Sequence, residues 1–259
     1  VTGASNNVFY LGISASRQGE VLAKTLAEDR NVQRIAILQD ERLTDAAAFV
    51  ESSQKEMPAR QERVPMFPIF TVIRFGKEAK PAAKESKPNE TVNKDIDWKE
   101  IVERITRTKQ EAVVFAGSVQ DFNALIRAWR KIGSPIDVKF VHAGVDGDHQ
   151  FERDADEKMT VLFASAFYAD PAAEKLQAFL KAYRALPEKM EANAQAALAY
   201  DGMRILVDAM KRTAPQVTPE GIRDELLKTK DFEGLTGPLT ITSERQVQGT
   251  VFVMLWQNG

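Results

Sequence analysis

The sequence predicts an α/β protein built on a doubly wound parallel sheet. Three observations carry that prediction. Short, continuous apolar runs recur as RIAILQD (Arg34–Asp40), EAVVFAG (Glu111–Gly117), VKFVHAG (Val138–Gly144) and MTVLFASAF (Met159–Phe167). Runs of this kind, closed by charge or glycine, mark strands buried on both faces. Segments with helical periodicity alternate with them, and such alternation implies parallel strands joined by crossover helices.

Taken in order, Ser16 is read as the N-cap of a helix reaching about Asp29, with Val21, Leu22, Thr25 and Leu26 on one face. The Arg34–Asp40 strand follows, then a helix over Thr44–Met57. Met66–Phe75 is β-rich, with Pro68 at an edge or strand start. Gly76–Asn93 (GKEAKPAAKESKPNETVN) combines prolines and charge with almost no large apolar residue, so an exposed loop or disordered insertion is expected. Asp97 or Asp95 then caps a helix carrying Trp98, Ile101, Val102 and Ile105. Asp121–Ile132 places Phe122, Leu125, Ile126, Trp129 and Ile132 on one stripe. After the fourth strand three helices are expected near 172–186, 192–212 and 219–229, the last capped by Thr218 with Pro219 at its first position. A Gly-Pro turn, a short strand and a β-rich tail close the chain.

Composition narrows the function. A net charge of −2 provides no global basic field for nucleic acid or anionic membrane, so no nucleic-acid partner is expected. Cysteine is absent and only His142 and His149 are present, which removes thiolate metal sites, cysteine nucleophiles and histidine-rich centres. No apolar run is long enough to span a bilayer. No signal-peptide pattern is present and Val1 is not an initiator, so a processed or trimmed chain is expected.

The chemistry-bearing patterns resolve into ordinary ones. The opening VTGAS imitates the first turn of short-chain dehydrogenases, but Asn7 and Phe9 stand where further glycines would let the backbone approach a pyrophosphate. No Tyr-x-x-x-Lys pair exists: Arg204 follows Tyr200 and Pro187 follows Tyr183 at that spacing. Asp146, Asp148, Glu152, Asp154 and Asp156 lack calcium-loop spacing and read as a polar turn; no metal is expected. His142, inside an apolar run, reads as a core or rim histidine. Neither a G-x-S-x-G elbow nor a phosphate loop is present, so neither a catalytic residue nor a cofactor is expected.

Three segments together resemble type 1 periplasmic solute-binding proteins of the branched-chain amino-acid-binding (Leu/Ile/Val-binding protein-like) branch, receptors of ABC transporters. They are NVFYLGISASRQGEVLAKTLAE (Asn7–Glu28), with its Gln18-Gly19 pair; VQRIAILQDERLTDAAAF (Val32–Phe49); and the closing Ala192–Gly259, with Ala199-Tyr200-Asp201 and Gly237-Pro238-Leu239-Thr240-Ile241. The resemblance implies two α/β lobes clamping a ligand, with the first part of the N-terminal lobe preceding Val1 and absent here. On that reading residues 1–10 are a hinge strand and first-lobe remnant. Residues 11–166 are the second lobe, 167–246 returning first-lobe helices, and 247–259 the last second-lobe strand. The implied ligand positions are Thr2, Thr44, Ser118, Gly144 and Gln195, with Asp146 a nearby acid. At Thr44, Ser118 and Gln195 the family often has an aromatic, and at Gly144 an ammonium-binding acid.

Ligands of open α/β sheets sit beyond the carboxyl ends of strands. Here those ends are Gln39–Thr44, Ala116–Val119 and His142–Asp146, whose side chains read as small or polar. The expected function is therefore reversible binding of a small polar or amino-acid-like ligand by an extracytoplasmic ABC-importer receptor, with permease subunits as partners. The alternative is a degenerate sensor or protein-interaction domain. A further expectation concerns the helix from Gln195 to Met210, which is apolar on more than one face. If truncated, the chain is expected to self-associate through helices 172–229.

Overall fold

The computed structural model describes residues 6–29, 32–59, 69–76, 96–133, 138–143, 151, 159–187 and 191–257. In chain order the elements are α1 (Ala15–Glu28), β1 (Arg34–Asp40), α2 (Thr44–Ala59), β2 (Ile69–Phe75), α3 (Trp98–Arg107), β3 (Ala112–Ala116), α4 (Val119–Lys131), β4 (Lys139–Ala143), β5 (Thr160–Ser165), α5 (Glu174–Arg184), α6 (Ala194–Thr213), α7 (Pro219–Leu227), β6 (Phe232–Gly234), β7 (Gly237–Ile241), β8 (Val247–Gln248) and β9 (Phe252–Gln257). They divide into two compact units. The expected loop at 76–93 lies, after Gly76, outside the described residues.

The larger unit, with described residues between 14 and 164 and from 253 onward, holds a six-stranded sheet in the order β2-β1-β3-β4-β5-β9. The pairs β1–β2, β1–β3, β3–β4 and β4–β5 are all parallel. Ile37 sits opposite Val72 on one side and Val114 on the other, and Val114 opposite Val141. Ile35–Leu38 are wholly buried, as parallel strands covered on both faces require. Helices α1 and α2 pack on each other, as do α3 and α4. The latter pair covers a core of Trp98, Val102, Phe115, Phe122, Leu125 and Trp129.

Helix starts follow side-chain oxygens. Ser118 and Asp97 accept from backbone N–H groups three residues ahead, at 3.1 and 3.0 Å. α1 corrects the sequence reading: its cap is Ser14, whose Oγ accepts from Arg17 N, and Ser16 lies inside the first turn. Both serines precede the same apolar stripe, and only the extended backbone at Ser14 distinguishes them. α4 likewise starts two residues earlier than expected, at Val119, with Ser118 as its cap. At Gly19 the two helices α1 and α2 approach closely. A Cβ there would lie 2.4 Å from the Phe49 carbonyl oxygen; Ser53 Oγ, which donates within α2 to Phe49 O at 2.9 Å, also lies 3.3 Å from Gly19 O across the same contact.

The smaller unit, described over 6–13 and 165–252, combines α5, α6 and α7 with an antiparallel sheet β6-β7-β8. The Thr218 cap and first-position Pro219 of α7 are as the sequence predicts. Ile205 of α6 packs with Leu239 and Ile241. Asp201, fully buried on α6, holds the β6–β7 turn: Oδ1 accepts from Leu235 N at 2.8 Å, and Oδ2 from Thr236 N and Thr236 Oγ1 at 3.1 and 3.0 Å. Gly234 leaves room for this carboxylate, since a Cβ would fall 2.6 Å from Oδ2. The apolar residues of α6 divide into two sets. Ala197, Leu198, Ile205 and Ala209 are buried, whereas Tyr200, Met203, Val207 and Met210 are 44, 60, 41 and 39% exposed.

These contacts set expected stabilities in chemical denaturation. Gly19→Ala is expected to cost about 1–3 kcal/mol through overpacking against a backbone that cannot yield. Asp201→Ala orphans two backbone donors at about 1–3 kcal/mol each, so a loss of at least about 2 kcal/mol is expected. Met203→Gln, on the exposed stripe, should stay within about 0.5 kcal/mol of the parent. A Gly19→Ala midpoint equal to that of Met203→Gln would contradict the close α1–α2 contact.

Candidate functional site

The strand order reverses between β1 and β3: from β1 the chain moves through α2 to β2, and from β3 through α4 to β4. The two helices lie on opposite faces, so a crevice opens beyond the carboxyl ends of β1 and β3. This is the topological switch point at which open α/β sheets bind ligands. A cavity of about 350 Å³ lies there, lined by Arg42 and Leu43 after β1, by Thr44, Asp45, Ala46 and Phe49 of α2, by Ala116 at the end of β3 and Gly117 after it, and by Ala143 of β4. Ligand pockets range from about 300 to 1,000 Å³, so this one suits a small ligand. A second cavity of about 260 Å³, lined in part by Arg34, Gln110, Glu111 and Trp129, lies at the opposite ends of the strands. It is the smaller of the two and is not at the switch point.

One side of the cavity is built on a charge cluster. Asp40 ends β1 with its side chain 1% exposed, and Asp121 in the first turn of α4 is 2% exposed. Both bind Arg42. Arg42 Nε donates to Asp40 Oδ1 at 2.7 Å, and Nη2 donates to Asp40 Oδ2 at 2.6 Å and to Asp121 Oδ2 at 2.5 Å. Asp40 Oδ1 also accepts from the Arg42 backbone N–H at 2.9 Å, closing the turn after β1. The Asp40 carboxylate first, and Asp121 with it, hold the guanidinium protonated well beyond its ordinary range. Asp121 Oδ1 is buried and receives no donor among the described residues. Gly76 completes the cluster: its φ is +70°, and a Cβ there would lie 2.7 Å from Arg42 Nε and 2.9 Å from Asp40 Oδ1.

The structure treats the sequence-predicted positions differently. Thr44 lines the cavity as the first residue of α2. Ser118 adjoins it through Gly117, but its Oγ is engaged as the α4 cap. Gln39 is half-buried within β1, in register with Arg74 and Ala116. Gln195 is exposed in the first turn of α6, in the smaller unit. Thr2, Gly144 and Asp146 lie outside the described residues, as do Asp148, Glu152, Asp154 and Asp156. Among the described residues no group of three His, Asp or Glu side chains is arranged to hold a metal. No described helix is long and apolar enough to cross a membrane. His142 is buried on β4 between Phe115, Phe122 and Phe151, with ring centroids 5.1–5.7 Å away, a core position.

Asp40 and Arg42 fall within the Gln39–Thr44 strand end read from the sequence without being singled out there, whereas Asp121 and Phe49 were missed as residues of this region. Charge closing an apolar strand was the only signal for Asp40. Nothing local marks Asp121, which lies 79 residues from Arg42.

Comparison with known proteins gives a consistent result. A family model described as periplasmic binding protein matches residues 82–259. No curated protein sequence matches. Among solved structures, the fold is similar to a leucine-binding protein from Thermotoga maritima (TM-score 0.70, 19% identity), covering 99% of this chain and 67% of that one. It is also similar to a branched-chain amino acid transporter substrate-binding protein from Streptococcus pneumoniae in complex with isoleucine (TM-score 0.75, 22% identity, 99% of this chain and 66% of that one). A solute-binding protein of an ABC transporter from Rhodopseudomonas palustris in complex with 3,4-dihydroxybenzoic acid gives a TM-score of 0.69 at 14% identity, with 97% and 63% covered. The chain thus spans about two thirds of the length of these structures.

Removing the arginine tests the cluster. Stripping the cation from buried carboxylates leaves uncompensated charge, so Arg42→Ala is expected to lose on the order of 3 kcal/mol of stability. Gly76→Ala is expected to lose about 1–3 kcal/mol, through strain at its positive φ and displacement of the guanidinium. Chemical denaturation at neutral pH checks both. An Arg42→Ala protein as stable as the parent would show that the cluster carries no structural weight.

Proposed function

The chain belongs to the periplasmic binding protein family, and from that premise we propose that it is an extracytoplasmic solute-binding receptor of an ABC importer. It binds a small polar or amino-acid-like ligand reversibly, and passes it to permease subunits without covalent chemistry. Members of the family are binding proteins rather than enzymes. The observation that carries the reading is the cavity at the β1/β3 switch point. Its size suits a molecule of a few to a dozen or so heavy atoms, an order-of-magnitude match to the low end of ligand pockets. Leu43, Ala46, Phe49 and Ala116 give it an apolar wall, while Thr44, Asp45 and Arg42 supply polar groups that fix orientation. Both α2 and α4 begin beside it, and the partial positive charge of a helix start favours an acceptor or carboxylate.

A second reading, a sensor or interaction domain without a transport role, draws on one observation: the exposed stripe of Tyr200, Met203, Val207 and Met210 on α6. Contiguous exposed apolar side chains are characteristic of partner surfaces.

Binding decides between the two. A ligand that selects the native state stabilises it by about 2.7 kcal/mol at a hundred times its dissociation constant. A thermal-shift screen of amino acids, their amides and small carboxylates is expected to raise the melting temperature with at least one compound, and isothermal titration calorimetry should give one site per chain. Abolition of that shift by Ala46→Trp, which fills the cavity, would tie binding to the switch point. A screen without any shift, together with capture of a protein partner that Met203→Glu abolishes, would favour the interaction reading.

A further inference from the structure

We propose that the cavity at the amino ends of the strands, opposite the switch point, is a second ligand site. It takes a small amphipathic anion: an apolar body that carries one carboxylate and one O–H or N–H donor. The proposal stands apart from the receptor reading above, which concerns the other cavity.

The donor follows from a buried acceptor. Gln110 lines this cavity and is 7% exposed. Its Nε2 donates to Thr108 Oγ1 at 3.0 Å, and that hydroxyl faces the Arg104 and Ile105 carbonyls as a donor, each at 3.0 Å. This chain of bonds sets which way the amide faces. It leaves Oε1 buried with no donor among the described residues. An unmet buried acceptor is costly and uncommon in native proteins. Gln110 is the most deeply buried polar residue of the lining, so its amide is what the inner end of a ligand meets.

The anion follows from the charge. Glu111 is the one carboxylate among the described lining residues, and it is already engaged. Its Oε2 accepts from Gln33 N and Arg34 N at 2.6 and 2.9 Å, and its Oε1 from Arg34 Nη2 at 2.6 Å. Arg34 Nε donates to Lys109 O at 2.6 Å. Arg34 Nη1 and Lys109 Nζ then have no acceptor among the described residues, and both side chains line the cavity. The last turns of α3 and α4, which supply Thr106 and Trp129 to the lining, also carry Arg104, Arg107, Arg130 and Lys131. A helix end contributes roughly half a negative charge, so four cations exceed what two helix ends require. The whole chain is at −2, so this positive excess is local.

The apolar body follows from the wall. Ile105, Trp129 and Val138 face the cavity. Its volume of about 260 Å³ is below the usual range of about 300–1,000 Å³, which restricts the ligand to roughly ten heavy atoms.

Three probes of matched shape separate these terms. 4-Hydroxyphenylacetate has ring, carboxylate and donor; phenylacetate lacks the donor; tyramine has an ammonium in place of the carboxylate. Titration calorimetry on the whole chain is expected to show 4-hydroxyphenylacetate binding about tenfold more tightly than phenylacetate, and at least about tenfold more tightly than tyramine. Gln110→Met, nearly isosteric but without the acceptor, is expected to make the two anions bind equally. A merely structural role for Gln110 would weaken both alike and keep their ratio. Lys109→Ala, at an exposed position, is expected to weaken both anions several-fold and leave tyramine unchanged. Ala46→Trp fills the switch-point cavity and is expected to leave the binding at this site in place. Should that variant not fold, the indole N–H resonance of Trp129, identified by its loss in Trp129→Phe, serves in the parent. It is expected to shift with 4-hydroxyphenylacetate. Tyramine binding as tightly as the anions, loss of all binding in a folded Ala46→Trp, or an unmoved Trp129 resonance would overturn the proposal. So would absence of 4-hydroxyphenylacetate binding at millimolar concentration. Each of these outcomes leaves the receptor reading intact, because that reading rests on the other cavity.

Discussion

The larger unit depends on one topological constraint: β1 is hydrogen-bonded to β2 on one side and β3 on the other, all parallel. A parallel crossover must turn right-handed. Strand order running outward in both directions from the β1/β3 junction therefore sends α2 to one face and α4 to the other. The carboxyl ends of β1 and β3 are left without a helix across them. A crevice there is a consequence of connectivity rather than of any residue, and the residues then determine what it holds.

What they place there is charge held under tight geometric control. Two carboxylates buried to within 2% of full occlusion are costly unless paired, and a single guanidinium pairs both. The arrangement is possible because Gly76 adopts a left-handed conformation and has no side chain to crowd Arg42. Hydrogen bonds from Nε and Nη2 fix the plane of the guanidinium, so the cluster ties the end of β1 to the start of α4. The same three residues stabilise the loop after β1, and Arg42 is the one of them that lines the cavity beside it.

The smaller unit solves a different problem with a similar device. Its three short strands have little sheet to stabilise them, and the turn between β6 and β7 would otherwise leave backbone donors without partners. Asp201 satisfies them from α6, which is why a fully buried carboxylate stands in the middle of an otherwise apolar helix face. Arg204, one turn further on, lies 5.8 Å from the Tyr200 ring and 5.0 Å from that of Phe232, tying the helix to the hairpin by cation–π contact.

The sequence by itself determined the elements and their class. Continuous apolar runs marked β1, β3, β4 and β5 because a strand buried on both faces has no polar side to show. Asp97 and the Thr218-Pro219 pair marked helix starts because capping is a contact over three residues. Family likeness was legible in the order of segments, and the carboxyl ends of the strands pointed to the region in which the cavity lies. Only the tertiary structure decided the rest. Whether Ser14 or Ser16 caps α1 turned on one residue's backbone. Which apolar residues of α6 are covered depended on where β7 lies. Ser118, read as a site residue, is engaged as a cap, and Asp121, read as a helix start, is half of a clamp on Arg42. Local periodicity reports which residues share a face. It cannot report that two charges 79 residues apart meet at 2.5 Å, because that distance is set by the register of β1 against β3.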